Sequence, residues 1–527
     1  MPPNPATSTD TWFTPRRFAI ILGVFIFIAY PEVVWFGPKI EIGSKVVLGW
    51  KTFFHRDFGY FGYPLAFHHR QSFWQGEVPL WNPLNNCGLP FLAQWNTLVL
   101  YPGSLFYLLF PLSWSLGVFC LLHQFWAGLG MYFLARRWTA NGLAASVAGM
   151  AFAFNGLTLN CLMWPNNIAA LGWMPWVVVV VERACAGGGR RLALAVVVAT
   201  MQMLTGAPEI IFLTWVIVGA LWISQLAAKD TSRGRRLVRV VLIGATTLLM
   251  SAAQLLPFLD LLAHSQRDTS YGDSAWAMPV WGCANLFVPM FHCFRGFSGV
   301  YWQHEQYWTS SYYTSVGVFA LALLAVFSVR RRMVVTLAIL FVVSVVLAMG
   351  DEGFLYEPIR KILPQIGFMR FPIKFVVIVT FAVPLLAAFA MKARSEAPLS
   401  DLRSRLTMFG LWPIFLGVIC SVIWSARLHP AKYEDWTLTW QNGLGRATFF
   451  VLFGATLAVL GFIKSPPARS LAGLVLLSEI LGDSLNHVPP QNPTIARYAF
   501  EPGLLKLSPQ PRLGGARVMV SPAANSR

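Results

Sequence analysis

The sequence predicts an all-α polytopic membrane protein of about thirteen transmembrane helices, on three observations. Of its 527 residues 56% are hydrophobic and only 12% charged, against about 25% charged in an ordinary soluble domain. The apolar residues gather into stretches of roughly 17 to 25, the length a helix needs to keep every backbone group paired across hydrocarbon. Aromatic residues reach 15%, with 22 Trp and 41 Phe, which suits a chain whose rings meet the headgroup layers. A cytosolic enzyme, a disordered chain and a collagen-like repeat are all excluded.

The first apolar stretch, Phe18 to Phe36, follows Arg16 and Arg17 and lacks a small-residue cleavage site at its end. It therefore reads as an uncleaved signal anchor. The spans are expected near 18–36, 114–135, 142–162, 166–182, 191–207, 209–228, 237–259, 312–329, 333–349, 373–391, 408–425, 446–463 and 470–486. The apolar run Leu98 to Phe110 is short, with Pro102 inside it and Pro111 behind it, and is expected to be an interfacial or re-entrant helix. Long connections fall at 37–111, 260–311 and 350–372, all on one side. The membrane body covers 1–486 and leaves an extracytoplasmic tail over 487–527.

The formal net charge of +18 would suggest nucleic acid in a soluble protein. Here Lys and Arg gather in the short turns on the N-terminal side, from Arg136/Arg137 through Arg330/Arg331/Arg332 to Lys464/Arg469, and those turns hold about +16 of the total. By the positive-inside rule the N-terminus is cytoplasmic and the C-terminus extracytoplasmic. The charge reports orientation and contact with anionic membrane lipids; no nucleic-acid partner is expected. Seven cysteines without a CxxC form neither a disulfide framework nor a zinc motif. Pairing of Cys283 with Cys293 stays open.

The nearly neutral exterior is where chemistry is expected. Its first loop carries His55-Arg56-Asp57, then Phe67-His68-His69-Arg70, then Gly76-Glu77-Val78-Pro79-Leu80-Trp81-Asn82-Pro83, followed by Gly88-Leu89-Pro90 and Leu100-Tyr101-Pro102. On these residues the chain resembles the YfhO family of bacterial membrane proteins, grouped with the GT-C-type glycosyltransferases, which draw sugar from a polyprenyl-phosphate carrier. Gly206-Ala207-Pro208-Glu209, Tyr301-Trp302, Phe368-Met369-Arg370-Phe371-Pro372 and Asn492-Pro493-Thr494 extend the likeness. At the other end Gly515 to Val520 looks like the opening strand of a further exterior domain.

The resemblance implies a GT-C-like first exterior loop carrying short helices. It also implies a bacterial inner-membrane enzyme that moves a sugar, with inversion, from a polyprenyl-phosphate donor to an extracytoplasmic envelope glycan or lipid-linked acceptor. Asp57 is the candidate general base, since GT-C-type enzymes place a carboxylate in this loop. The alternatives are an ion pair of Asp57 with Arg56, or a helix cap. His55, Arg56, His68, His69 and Arg70 are candidates to hold phosphate by charge-assisted hydrogen bonds. Arg370 and Lys374, four residues apart and so on one helical face, are candidates to clamp the carrier phosphate, with lipid-headgroup contact as the plainer reading; Lys51 and Arg267 are weaker versions.

Glu77 is either a second carboxylate or part of a turn, and Glu209, Tyr301 and Trp302 are secondary candidates. Glu479 and Asp483 share a helical face at a span edge, where pairing with a neighbouring helix is the simpler reading. No cofactor is expected, and no metal site is indicated: the exterior loops hold no D-x-D, and the adjacent His68 and His69 point in different directions. A transporter or lipid flippase is the rival class, although polar groups along the spans are few, namely His123, Gln124, Gln202 and Gln254. A non-catalytic scaffold is the third.

Overall fold

The computed structural model describes residues 12–35, 40–42, 45–47, 51–85, 88–226, 233–265, 276–296, 299–363, 368–396, 402–432, 434–489, 491–496 and 500. Arg267 and the segment 515–520 lie outside them. Helices occupy all thirteen apolar stretches. Six of these helices, among the described residues, are long and apolar enough to cross a membrane: Leu112–Thr139, Pro165–Gly187, Pro208–Gln225, Pro372–Glu396, Gly410–Leu428 and Trp436–Phe462. A seventh is counted if Arg233–Met250 and Ala252–His264, which meet at a 76° bend, form one span.

Six or seven of the thirteen expected spans thus meet that measure among the described residues, and the others fall short of it for reasons visible in the chain. Pro31 ends the first helix at Ala29, because its ring clashes with a continuing turn. The stretch 142–162 breaks at Asn155, whose side chain caps the next helix by accepting from the Thr158 N–H at 2.9 Å. Tyr312, Tyr313 and Thr314 are buried but not helical, so that helix is confined to Val316–Ser328.

The centre of the bundle is Val376–Glu396, apolar all round and almost wholly buried, as a helix enclosed by others must be. Leu112–Thr139, Gly142–Phe154 and Pro165–Gly187 pack beside it in one core. Where Trp436–Phe462 meets Pro466–Asn486, Arg446 and Asp483 form a fully buried ion pair. Asp483 Oδ2 also accepts from the Tyr313 hydroxyl at 2.8 Å and the Val316 N–H at 3.1 Å, so one carboxylate ties three helices together. Glu479, one turn earlier, accepts from Thr456 at 2.6 Å. Asp483 therefore has the inter-helix partner that the plainer reading expects.

The first loop is built from short pieces. Strand Lys51–Phe53 pairs antiparallel with Thr494–Ala496. One π-helical turn over Phe58–Gly62 leads into helix Tyr63–Gln75. Trp81–Asn82 and Leu89–Pro90 form a two-residue hairpin, and helix Leu105–Leu109 precedes the span from Leu112. Residues 491–496 of the expected tail are thus bound into the body.

Replacing Asp483 with Ala leaves Arg446 charged and buried without its partner, and should cost about 3–5 kcal/mol. The expected outcome is a large loss of thermal stability in detergent. The double variant Arg446→Met/Asp483→Leu, which removes both charges, should recover most of it.

Candidate active site

Asp57 sits between strand Lys51–Phe53 and the π turn. The strand pairing directs the chain into His55-Arg56-Asp57, and Arg56 takes a left-handed backbone, φ +46°, uncommon for a residue with a side chain. Gly59 lets the π turn close: a Cβ there would lie 2.6 Å from the Phe54 carbonyl oxygen. Both alternatives for Asp57 fail in the structure. Arg56 donates to the Tyr307 carbonyl at 2.7 Å and lies over the Trp302 ring at 4.4 Å, with no ion pair to Asp57, and the Asp57 side chain caps no helix.

Instead the Trp164 indole N–H donates to Asp57 Oδ2 at 2.6 Å. This is a charge-assisted bond that engages one oxygen and orients the carboxylate. Trp164 comes from the residue preceding helix Pro165–Gly187, and its ring stacks on Trp308, centroids 5.8 Å apart and 12° from parallel. Over Trp308, at 5.7 Å, stands the ammonium of Lys374, which donates to Glu209 at 2.6 Å in a mostly buried ion pair. The half-buried Asp57 opens on a narrow cleft bounded by Phe61, Asn96, Tyr107, Trp164 and Asn166. Its cavity is about 20 Å³, room for a single water.

The structure thus brings Asp57, Arg56, Trp302, Lys374 and Glu209 into one neighbourhood, joined by two tryptophans. The remaining candidates are placed elsewhere. His68 and His69 are buried in helix Tyr63–Gln75; His68 Nε2 bonds to the Trp81 carbonyl at 3.2 Å and His69 Nδ1 to the Tyr107 hydroxyl at 3.0 Å. They stitch the loop together, while Phe67, Phe73 and Trp74 of the same helix face outward. Arg70 lies 6.0 Å from the Trp74 ring. Glu77 is exposed in the turn closing that helix, its N–H bonded to the Ser72 carbonyl at 2.9 Å. Tyr301 is a buried strand residue opposite Arg295.

Arg370 and Lys374 do not share a helical face. The helix begins only at Pro372, and Phe371 is extended, which leaves Arg370 exposed in the loop and Lys374 inside. Both nevertheless flank the Phe371 ring, at 5.4 and 5.1 Å. Lys51 is bound to Glu32 at 2.6 Å. Cys283 and Cys293 are both free thiols. Among the described residues no three His, Cys, Asp or Glu side chains converge as metal ligands would.

Burial lowers His55 from its ordinary 6.5 to about 4, assisted by the adjacent Arg56 and opposed by Asp57. His69 falls to about 4 by burial, with His68 adding to it. Neither is a cation at neutral pH, so neither is an electrostatic anchor for phosphate there.

The fold and site define a polytopic helical membrane protein with a carboxylate at a cleft beside the loop helix Tyr63–Gln75. The chain is similar in fold to the crystal structure of ArnT from Cupriavidus metallidurans bound to undecaprenyl phosphate, with a TM-score of 0.51 and 14% identity over 90% of this chain and 76% of that one. At that identity the likeness speaks for the fold alone, which is ArnT-like. No protein-family model matches the chain and neither does any curated protein, so the likeness to the YfhO family rests on the motifs alone.

Two predictions follow from the geometry. Both buried histidines have folded pKa values below the unfolded value near 6.5, so the unfolded chain binds more protons between pH 6.5 and 4. Their contribution is complete above pH 6.5 and is lost as pH falls toward 4; a plot of melting temperature against pH should drop over that window, and His55→Gln with His69→Gln should flatten it. Gly206 has φ +70°, and a Cβ there would sit 2.0 Å from the Trp95 carbonyl oxygen. Gly206→Ala should therefore lower the melting temperature by separating the Gly206-Glu209 turn from the first loop.

Proposed function

We propose that the protein is a membrane glycosyltransferase which moves a sugar from a polyprenyl-phosphate donor to an extracytoplasmic envelope glycan or lipid-linked acceptor, with Asp57 as general base. The observation that carries this reading is the Asp57 carboxylate, tethered by one oxygen to Trp164 and lining the cleft, within an ArnT-like fold. The ArnT structure contains undecaprenyl phosphate, and a donor of the same chemistry suits a site at the ends of apolar helices.

In the reaction Asp57 takes the proton of the acceptor hydroxyl as its oxygen attacks the anomeric carbon. The bond from that carbon to the donor phosphate oxygen breaks, and its electron pair leaves with the polyprenyl phosphate. Attack opposite the departing group inverts the anomeric centre. Phosphate needs no proton to leave, so one carboxylate suffices. An ammonium has three donors, and Lys374, which spends one on Glu209, keeps two for developing phosphate charge; Arg56 is the second cation in reach of the neighbourhood.

The topology that goes with this reading has the N-terminus in the cytoplasm of a bacterial inner membrane and the first loop outside. A transporter would need polar groups lining a path across the midplane. Of the main polar residues along the spans, His123 bonds to Tyr101 at 2.7 Å, and the side-chain amides of Gln124, Gln202 and Gln254 donate to Ala153, to Ala170 and Thr214, and to Leu92, leaving their three buried amide oxygens without a partner.

The test is transfer of radiolabelled sugar from undecaprenyl-phosphate donors to envelope acceptors by purified protein in lipid. Asp57→Asn preserves shape and should reduce the rate by about 10²–10⁴-fold, the usual worth of a general base, at unchanged protein level and melting temperature. Lys374→Met should weaken the donor KM. Undiminished transfer by Asp57→Asn would remove the base assignment, and no transfer by the native protein with any polyprenyl-phosphate sugar would overturn the reading.

A further inference from the structure

The end of the bundle opposite Asp57 holds a second cleft. Helix Pro165–Gly187 follows Trp164 at one end and reaches Glu182 near the other. There Trp138, Glu182 and Trp222, each close to the C-terminus of its own membrane-crossing helix, line a cleft with Val178, Cys185 and Val218. Its cavity is about 30 Å³, enough for one small polar group. Three helix C-termini meet around it, and each brings partial negative charge. Arg239 answers part of that charge by donating to the carbonyls of Cys185 at 2.8 Å and Ala186 at 3.2 Å.

The polar groups of the cleft are only half used. Glu182 accepts from Arg137 Nε at 3.2 Å and from the Trp138 indole at 3.0 Å, both on Oε2. Its Oε1 takes no bond among the described residues, and neither do the terminal nitrogens of Arg137. The Trp222 Nε1 is buried and has no acceptor. An unused carboxylate oxygen, two indole rings and three negative helix ends together favour a cation that carries N–H groups. The unmet Trp222 donor and the Arg137 guanidinium favour an anionic oxygen a short distance away. Water supplies neither charge. The cleft also lies where three spans leave the hydrocarbon, and beside it Ile223 and Val241 are 62% and 60% exposed, on faces that lipid chains reach.

We propose that this cleft binds the phosphoethanolamine headgroup of a membrane lipid. The ammonium sits on Glu182 Oε1 against the Trp138 and Trp222 rings, the phosphate takes the Arg137 guanidinium and the Trp222 N–H, and the acyl chains run along Ile223 and Val241. A choline headgroup is refused because its methyl groups overfill the cavity and bring no N–H to the carboxylate. A glycerol headgroup brings no cation. The assignment holds whichever reaction Asp57 serves.

The test is lipid retention by the full-length protein, delipidated in detergent and offered phosphatidylethanolamine, phosphatidylcholine and phosphatidylglycerol with identical acyl chains. Bound lipid is counted by native mass spectrometry, and melting temperature is followed alongside. Phosphatidylethanolamine should be retained about tenfold over the other two, the worth of one hydrogen bond to a charged group. Glu182→Gln should bring that ratio close to unity, and Trp222→Phe, which keeps the ring and loses the N–H, should lower phosphatidylethanolamine retention several-fold. Glu357→Gln, at the other end of the bundle, should leave the ratio intact. Equal retention of the three lipids would overturn the proposal, and so would a preference for phosphatidylglycerol, the result of arginine charge alone, or a ratio untouched by Glu182→Gln. Glycerophosphoethanolamine, the same headgroup without acyl chains, should not raise the melting temperature; a rise equal to the lipid's would overturn the lipid assignment. The ratio is read within each variant, so a less stable variant still reports, and Trp222→Phe decides if Glu182→Gln does not fold.

Discussion

Everything at the candidate site depends on the burial of one ring, Phe53. It is fully buried, packed edge-on against Tyr30 at 5.6 Å and Phe58 at 5.7 Å. Tyr30 is where the first helix ends, and Phe58 follows Asp57. Burying such a ring stabilises by about 1.5–3 kcal/mol, more than the half-exposed Lys51–Glu32 pair beside it, for which up to about 1 kcal/mol is usual. That pair and the Thr494 hydroxyl, also bound to Glu32, serve geometry. They fix the register in which Thr494–Ala496 pairs with Lys51–Phe53, and a one-residue slip would turn Phe53 to the other face.

Two ion pairs then set how the helices meet at this end of the bundle. Arg446–Asp483 is sealed in the core, where replacing both partners by apolar groups costs little and losing one costs a great deal. Lys374–Glu209 joins the entry to Pro372–Glu396 with the first turn of Pro208–Leu226, and its ammonium stands over Trp308. The first pair behaves as structure: every bond its carboxylate makes goes to a neighbouring segment. The second leaves ammonium donors unused and lies one stacked pair of indoles from Asp57, which puts it in the same chain of contacts as the carboxylate.

Much of this was legible in sequence, and what escaped did so for physical reasons. Hydropathy located the helices because burial of the backbone in lipid demands long apolar runs, but it did not locate their breaks: a window cannot see a cap such as Asn155 or an extended run such as Tyr312 to Thr314. Gly206 to Glu209 was readable as a tight connection, since the turn is local. Asp57 was readable only through its motif. Trp164 and Trp308 were not readable at all, because in a chain with 22 tryptophans one more before a helix is no signal, and their meaning comes from a contact 107 residues away in sequence. His68 and His69 misled because polar residues in an exterior loop suggest a wet face; this helix buries them and turns Phe67, Phe73 and Trp74 outward. The expected shared face of Arg370 and Lys374 hung on where a helix starts, and Pro372 starts it too late.

With room for one water, the Asp57 cleft must widen before anything larger can reach the carboxylate. One wall, at Trp164 to Asn166, is the head of a span held in the core; the other belongs to the loop, at Leu65, Ala66 and Asn96 to Leu98. The join between the walls is the π turn Phe58–Gly62, a single wide turn whose bonds run to the fifth residue and which relaxes to ordinary helix by passing the extra residue along. The loop wall is itself tied to the core, through buried Leu98 and the Trp95 indole that donates to the Met203 carbonyl at 2.8 Å, so widening falls to the π turn between the walls, while the bond from Trp164 keeps the carboxylate fixed to the wall of the span.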